Sequence, residues 1–303
     1  MDLERLRKEL IGLKKEVKWL QKSIGKLESE LLDGEAFLQR AIKTRGMKIH
    51  RRNPDGDIFI PLGASPEEQA SFYQLLRRYS FRLFLRDLIM KKDSFCAEEL
   101  SRYCSLNTAK RYISFLLKHK VIATIGEETF QLLNRSICSF GPTLEWFIAQ
   151  MFQREFTSPS FYGVRFKDTT SGGDYDVISL WEGRMVYVEI KSSPPRGIER
   201  SEIGSFFARI ADLLPDIAFL FNDTQLRMKD KIVLMFEEEL YQRYGEKGKD
   251  SFPIQRLVDE LFQINHRIYI VNSRKDAVAN FNICLRDFLF YQRAEILPIL
   301  YPK

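Results

Sequence analysis

Gly172-Gly173-Asp174-Tyr175-Asp176-Val177-Ile178 is followed, thirteen residues after Asp176, by Glu189-Ile190-Lys191-Ser192-Ser193. Three runs rich in β-branched and aromatic residues, 161–166, 175–180 and 185–190, are broken by Gly172-Gly173 and by Trp181-Glu182-Gly183-Arg184, which predicts a three-stranded meander. A two-residue turn at Glu182-Gly183 sets the register so that Asp176 opposes Glu189 and Asp174 opposes Lys191, and opposed residues share a face. Alternation then places Tyr187, Glu189 and Lys191 on one side of the last strand and Val186, Val188 and Ile190 on the other. Carboxylates gathered on an otherwise apolar strand cost several kcal/mol unless a counter-charge offsets them, and a divalent cation would do so.

Upstream, Gly141-Pro142-Thr143 opens a helix whose Leu144, Phe147, Ile148, Met151 and Phe152 recur at i, i+3, i+4, i+7 and i+8. Glu145 lies at the edge of that stripe, and Glu155, near its middle, is a rival for the same role. Asp176, Glu189 and the backbone carbonyl of Ile190, completed by water and phosphate oxygens, form a donor set suited to Mg²⁺ (or Mn²⁺) rather than zinc. Such a metal lowers the pKa of bound water and screens charge in phosphodiester hydrolysis, and Lys191 either orients that water or helps to deprotonate it. Replacing either Glu189 or Lys191 by alanine is expected to abolish cleavage while leaving folding and DNA binding largely intact.

These residues, with the helix that begins Gly141-Pro142-Thr143-Leu144-Glu145, resemble the PD-(D/E)xK nucleases, in particular Mrr-like and archaeal Holliday-junction-resolvase-like members. The resemblance covers roughly residues 138–222. It implies a restriction-endonuclease-like α/β core, a mixed sheet flanked by helices, in which Asp176 and Glu189 bind the metal, Lys191 serves the catalytic water, and Glu145 supports the metal or a second ion. The nominal Pro-Asp is replaced by Asp174-Tyr175-Asp176, so either aspartate could be the ligand; Asp176, followed by Val-Ile inside the strand, fits better. Further on, 201–214 reads as a helix, and 217–221 and 268–271 as strands, with helices between and after them.

The remaining chain divides into three further segments. Residues 1–33 carry Leu3, Leu6, Leu10, Leu13, Val17, Leu20, Ile24, Leu27 and Leu31 in alternating steps of three and four. That is a coiled-coil seam, and its a and d residues favour a parallel homodimer. Residues 34–64 form a basic linker, with Lys43, Arg45, Lys48, His50, Arg51 and Arg52, and a small hairpin around Asn53-Pro54-Asp55-Gly56. Residues 65–136 begin at the helix start Ser65-Pro66-Glu67-Glu68, whose helix is expected to run to about Lys92. A helix at 97–104, a turn at 105–107, a helix at 108–119 and strands at 121–125 and 129–133 come next, an order that resembles a winged helix-turn-helix. Lys110, Arg111 and Lys118 would meet DNA from its second helix. Residues 137–303 are the expected nuclease domain.

A length of 303 residues and 45% hydrophobic content fit about two folded domains and an appendage. The net charge of +6 suits a polyanion partner such as DNA without specifying one. No apolar run reaches the ~18 residues of a membrane span, which points to the cytoplasm. Cys96, Cys104, Cys138 and Cys284 form no metal-binding spacing and read as reduced, mostly buried thiols. The motifs therefore predict a Mg²⁺-dependent endodeoxyribonuclease acting as a homodimer. The competing expectations are a DNA-binding regulatory or assembly protein with a nuclease-like fold, and a coiled-coil scaffold recruited to a larger complex.

Overall fold

The computed structural model describes residues 12–21, 23, 34–167 and 169–300, with residues 249 and 293–300 described by backbone alone. In chain order its elements are α1 (Gly34–Thr44), β1 (Lys48–Arg51), α2 (Pro66–Leu76), α3 (Tyr79–Met90), α4 (Leu106–Lys118), β2 (Ile122–Gly126), β3 (Thr129–Leu132), α5 (Gly141–Glu155), β4 (Ser160–Lys167), β5 (Asp174–Trp181) and β6 (Arg184–Lys191). After these come α6 (Arg200–Leu213), β7 (Ile217–Asn222), α7 (Leu234–Tyr244), α8 (Glu246–Ser251), β8 (Ile254–Val258), β9 (Leu261–Ile264), β10 (Ile268–Asn272) and α9 (Ala277–Leu300).

Among the described residues, eight strands form one mixed sheet in the order β1-β4-β5-β6-β7-β10-β9-β8, and β2 and β3 pair apart from it. The meander forms as its sequence requires. Glu182 and Gly183 both take positive φ, 47° and 74°, the backbone of a two-residue hairpin turn whose twist matches the strands it joins. The resulting ladder pairs Trp181 with Arg184 through to Val177 with Val188. β6 then runs parallel to β7, and β7 parallel to β10, with α6 as the crossover between β6 and β7.

Both faces of the sheet are covered, so its central strands are apolar throughout: every residue of β7, Ile217 to Asn222, is buried. Val186, Val188 and Ile190 pack on the side of α5 and α9, together with residues of α2, α3 and α4. Met185 and Tyr187 pack on the other, with α1, α6 and α7. The first of these clusters runs without a break from Phe72, Phe84 and Tyr112 to Phe147 and Phe281, across the expected boundary at residues 136 and 137.

Several local expectations need correction. Residues 48–51 do not pair with the segment after Asn53 as a hairpin; they form an edge strand on β4, and Asn53 fixes the exit by donating its N–H to the Tyr162 carbonyl at 2.8 Å and accepting the Tyr162 N–H at 2.9 Å. The helix from Pro66 starts with the expected capping box between Ser65 and Glu68 but stops at Leu76. Arg78 is extended (ψ 117°), and Arg82 Nη1 donates to the carbonyls of Leu76 (2.6 Å) and Arg77 (3.2 Å) that the break frees. Residues 97–104 form turns, not a helix, and α4 starts at Leu106 with Ser105 as its cap. Of the four free cysteines only Cys284 is buried; Cys138 is exposed.

Residues 12–21 are helical, with Leu13, Val17 and Leu20 exposed on the single chain. The rest of the expected seam lies outside the described residues. No described helix is long and apolar enough to cross a membrane.

Candidate active site

The end of the meander collects charge. Beyond Val177 the β5–β6 ladder gives way, and the Asp176 carboxylate replaces the missing strand partner by accepting the Ile190 N–H through Oδ2 at 2.6 Å. On the neighbouring strand the residue facing this point is Gly163. Its φ of 53° and the approach of Pro54, whose Cδ would stand 2.7 Å from an added Cβ, admit only glycine. The Glu145 carboxyl reaches over from α5 to Gly163, where Oε2 would stand 3.5 Å from an added Cβ. Glu145, Asp176 and Glu189 are thereby close enough to repel one another.

Glu189 is buried and held by three donors. Arg209 Nη1 reaches both of its oxygens at 2.9 and 2.7 Å, Lys191 Nζ stands 3.1 Å from Oε1, and the Tyr187 hydroxyl donates to Oε2. Lys191 also pairs with Glu202 at 2.7 Å; Glu202, the third residue of α6, accepts the Glu199 N–H as part of the helix cap. Arg209 lies two turns further along the same helix, against Gly173, where an added Cβ would stand 2.8 Å from Nη2. Asn222 at the end of β7 donates to the carbonyls of Lys191 (3.0 Å) and Ser193 (2.7 Å) and so fixes the strand end that carries the lysine.

The electrostatics arise from burial and like charge. Burial, reinforced by Asp174 and Glu189, pushes Glu145 up to about 8. Asp176 is raised well above the usual carboxylate range by burial and then by Glu189 and Glu145. Lys191 is raised as well, which for a lysine favours the charged form: burial opposes its charge, but Glu189 and Glu202 outweigh that and hold it above its ordinary value, so it is an ammonium at neutral pH. Because Glu145 binds its proton more tightly folded than unfolded, its contribution to stability is complete below the ordinary carboxylate pKa of about 4 and is lost as pH rises through about 8. Urea midpoints measured without added metal should fall across that window. Glu145→Gln should flatten the decline; an unchanged slope would mean that Glu145 is not the group being titrated.

Not every sequence candidate enters this cluster. Asp174 is drawn aside by Arg51 (3.0 Å) and Arg165 (2.6 Å) at the half-exposed start of β5. Glu155 is outside it altogether, accepting from the Tyr73 hydroxyl at 2.7 Å and pairing with Arg77 at 3.4 Å. Lys110, Arg111 and Lys118 lie on α4, away from the cluster, with Lys110 3.8 Å from Glu128 in the β2–β3 turn. Arg209 and Glu202 escape a reading of the sequence alone. Their signal is faint: two charged residues seven apart on a helix face that otherwise carries Ile203, Phe206 and Leu213.

Among the described residues no group of three or more His, Cys, Asp or Glu side chains stands ready to hold a metal ion. The chemistry of the donors nonetheless fits one. Glu145 and Asp176, whose hold on a proton is strengthened by burial and by neighbouring carboxylates, are oxygen donors from which a hard divalent cation can displace protons.

No protein-family model matches the chain, and no curated protein matches it. Among solved structures it is similar to protein VC1899 from Vibrio cholerae (14% identity, TM-score 0.47, over 85% of this chain and 62% of that one). It is also similar to Can2 from Sulfobacillus thermosulfidooxidans in complex with cyclic tetra-adenylate (12% identity, TM-score 0.44, over 83% of this chain and 60% of that one). The matched part is thus less than two thirds of the length of either, and likeness at this level says nothing about the site.

Proposed function

We propose that the chain is a metal-dependent endodeoxyribonuclease that hydrolyses phosphodiester bonds at the site formed by Asp176, Glu189, Lys191 and Glu145, as its resemblance to the PD-(D/E)xK nucleases implies. The observation that supports this most is the gathering of three acidic side chains at one end of the meander, with an ammonium on the same strand as Glu189. Asp176, Glu189 and the Ile190 carbonyl would hold Mg²⁺ or Mn²⁺, and Glu145 would support that ion or a second one. When bound, the ion lowers the pKa of water and screens negative charge on the phosphate.

The protein's own groups divide the remaining work. Lys191, kept charged by Glu189 and Glu202, is unsuited to removing a proton. That favours the first of its two expected roles, orienting the attacking water and contacting the scissile phosphate. Arg209 is a positioning residue: its two hydrogen bonds fix the Glu189 carboxylate. In the same reading residues 65–136 act as a winged helix that brings duplex DNA through Lys110, Arg111 and Lys118, and the N-terminal seam pairs two chains.

Linear, supercoiled, single-stranded and branched DNA incubated with the purified protein in Mg²⁺, Mn²⁺ or EDTA tests the activity and its substrate form together. Cleavage of any of them with metal and not with EDTA is expected, and intact DNA throughout would leave the regulatory or assembly role. The two aspartates can be separated by calorimetric Mn²⁺ titration. Asp176→Asn should weaken metal binding by about 10-fold or more, whereas Asp174→Asn, which removes a group already occupied by Arg51 and Arg165, should change it little. The reverse order would move the ligand to Asp174.

A further inference from the structure

A cleft of about 740 Å³ lies not over the carboxylates but between α3 and the loops after β6 and β7. Tyr79 and Arg86 from α3 and Tyr103 from the turns after it face Ser192, one residue beyond Lys191, and Thr224 and Gln225 beyond β7. This is the carboxyl end of two parallel strands, where open α/β sheets place ligands, and the volume is in the range of about 300–1,000 Å³ usual for built sites.

The lining identifies the ligand chemistry. Arg82 and Arg86 in and beneath the wall are matched by Asp223, which both contact, and by Asp87. With two cations against two carboxylates, the cleft offers a phosphate no net attraction. It offers two aromatic rings and neutral hydrogen-bonding groups instead, with Tyr103 44% exposed. A planar, neutral, hydrogen-bonding group is what such a lining takes up, and aromatic stacking of bases is the usual way proteins hold unpaired strands.

Taking the nucleic-acid substrate from the function proposed above, we infer that this cleft receives an unpaired nucleobase of the strand whose phosphate lies at Lys191. The shared strand end supports the connection: the Asp223 N–H donates to the Lys191 carbonyl at 2.8 Å, so the cleft floor and the lysine are tied by a main-chain hydrogen bond. The preferred substrate is then single-stranded or locally unpaired DNA, and α3 acts as a wall of the substrate site.

Fluorescence anisotropy with a labelled single-stranded oligonucleotide and a blunt duplex of the same sequence, both in EDTA, tests this without cleavage. The single strand should bind the full-length protein more tightly than the duplex. Tyr103→Ala should weaken single-strand binding by about 5- to 100-fold, Tyr103→Phe should restore it, and duplex binding should be unchanged in both. Equal binding of the two DNAs, or no loss in Tyr103→Ala, would overturn the inference. Tyr103-dependent strand binding in a protein that never cleaves would keep this inference and sink the nuclease reading. Metal-dependent cleavage with no Tyr103 effect would do the opposite.

Discussion

Asp223→Ala should destabilise the protein by about 3–5 kcal/mol, the cost of leaving a buried charge without its partner. Asp223 is fully buried and receives Arg82 Nε and Nη2 (2.8–3.0 Å), Arg86, and the Ser273 hydroxyl. Removing it strands Arg82, itself 1% exposed, between α3 and the ends of β7 and β10. Arg86→Ala should be milder, because Arg86 is partly exposed and its loss leaves Asp223 with Arg82. Burial by itself would raise Asp223, but Arg82 and Arg86 more than reverse that and hold it below the usual range. Its contribution is therefore complete above the ordinary aspartate pKa of about 3.9 and disappears as pH falls through the lower folded value. Urea unfolding at neutral pH checks the ranking; an Asp223→Ala midpoint within error of the wild type would show that the pair does not join α3 to the sheet.

Lys191→Ala should reduce cleavage by on the order of 10²–10³-fold, the usual loss when one preorganised donor to the developing charge is removed. Its fold should survive, since Glu189 keeps Arg209 and Tyr187 as partners. Glu189→Ala is a different case. The sequence predicts that this truncation abolishes cleavage and leaves folding largely intact, but in the structure it would leave Arg209 and Lys191 facing each other with no carboxylate between them, and stability should fall along with activity. Glu189→Gln, which keeps the size and one acceptor oxygen, is the better probe of chemistry. Circular dichroism beside a cleavage time course separates the two effects; Lys191→Ala cleaving at the wild-type rate would remove the lysine from the reaction.

What could be read in the sequence was what is decided locally. The Glu182-Gly183 turn fixes the register of β5 and β6, and alternation then sends Glu189 and Lys191 to one face and Val188 and Ile190 to the other core. What could not be read depends on distant partners. β1 pairs with β4 more than a hundred residues away, and nothing within Lys48–Arg51 distinguishes an edge strand from half of a hairpin. The helix from Pro66 breaks at Arg77 and Arg78 although neither residue is a helix breaker; Arg82, bound to Asp223, takes up the freed carbonyls. Arg209 belongs to the site only because the β6–α6–β7 crossover lays its helix over Glu189. Asp176 and Asp174 could not be told apart by spacing; their separation comes from Arg51 and Arg165, which take Asp174 alone.

The most direct test is to incubate supercoiled plasmid with wild-type protein and with Glu189→Gln, each in Mg²⁺ and in EDTA, and follow nicked and linear products over time. Wild-type protein should cleave in Mg²⁺ and stop in EDTA, while Glu189→Gln, folded by circular dichroism, should be slower by on the order of 10³-fold, the several kcal/mol that a correctly held metal supplies. Equal cleavage by the two proteins, or wild-type cleavage that continues in EDTA, would contradict a metal-dependent reaction at Asp176, Glu189 and Lys191.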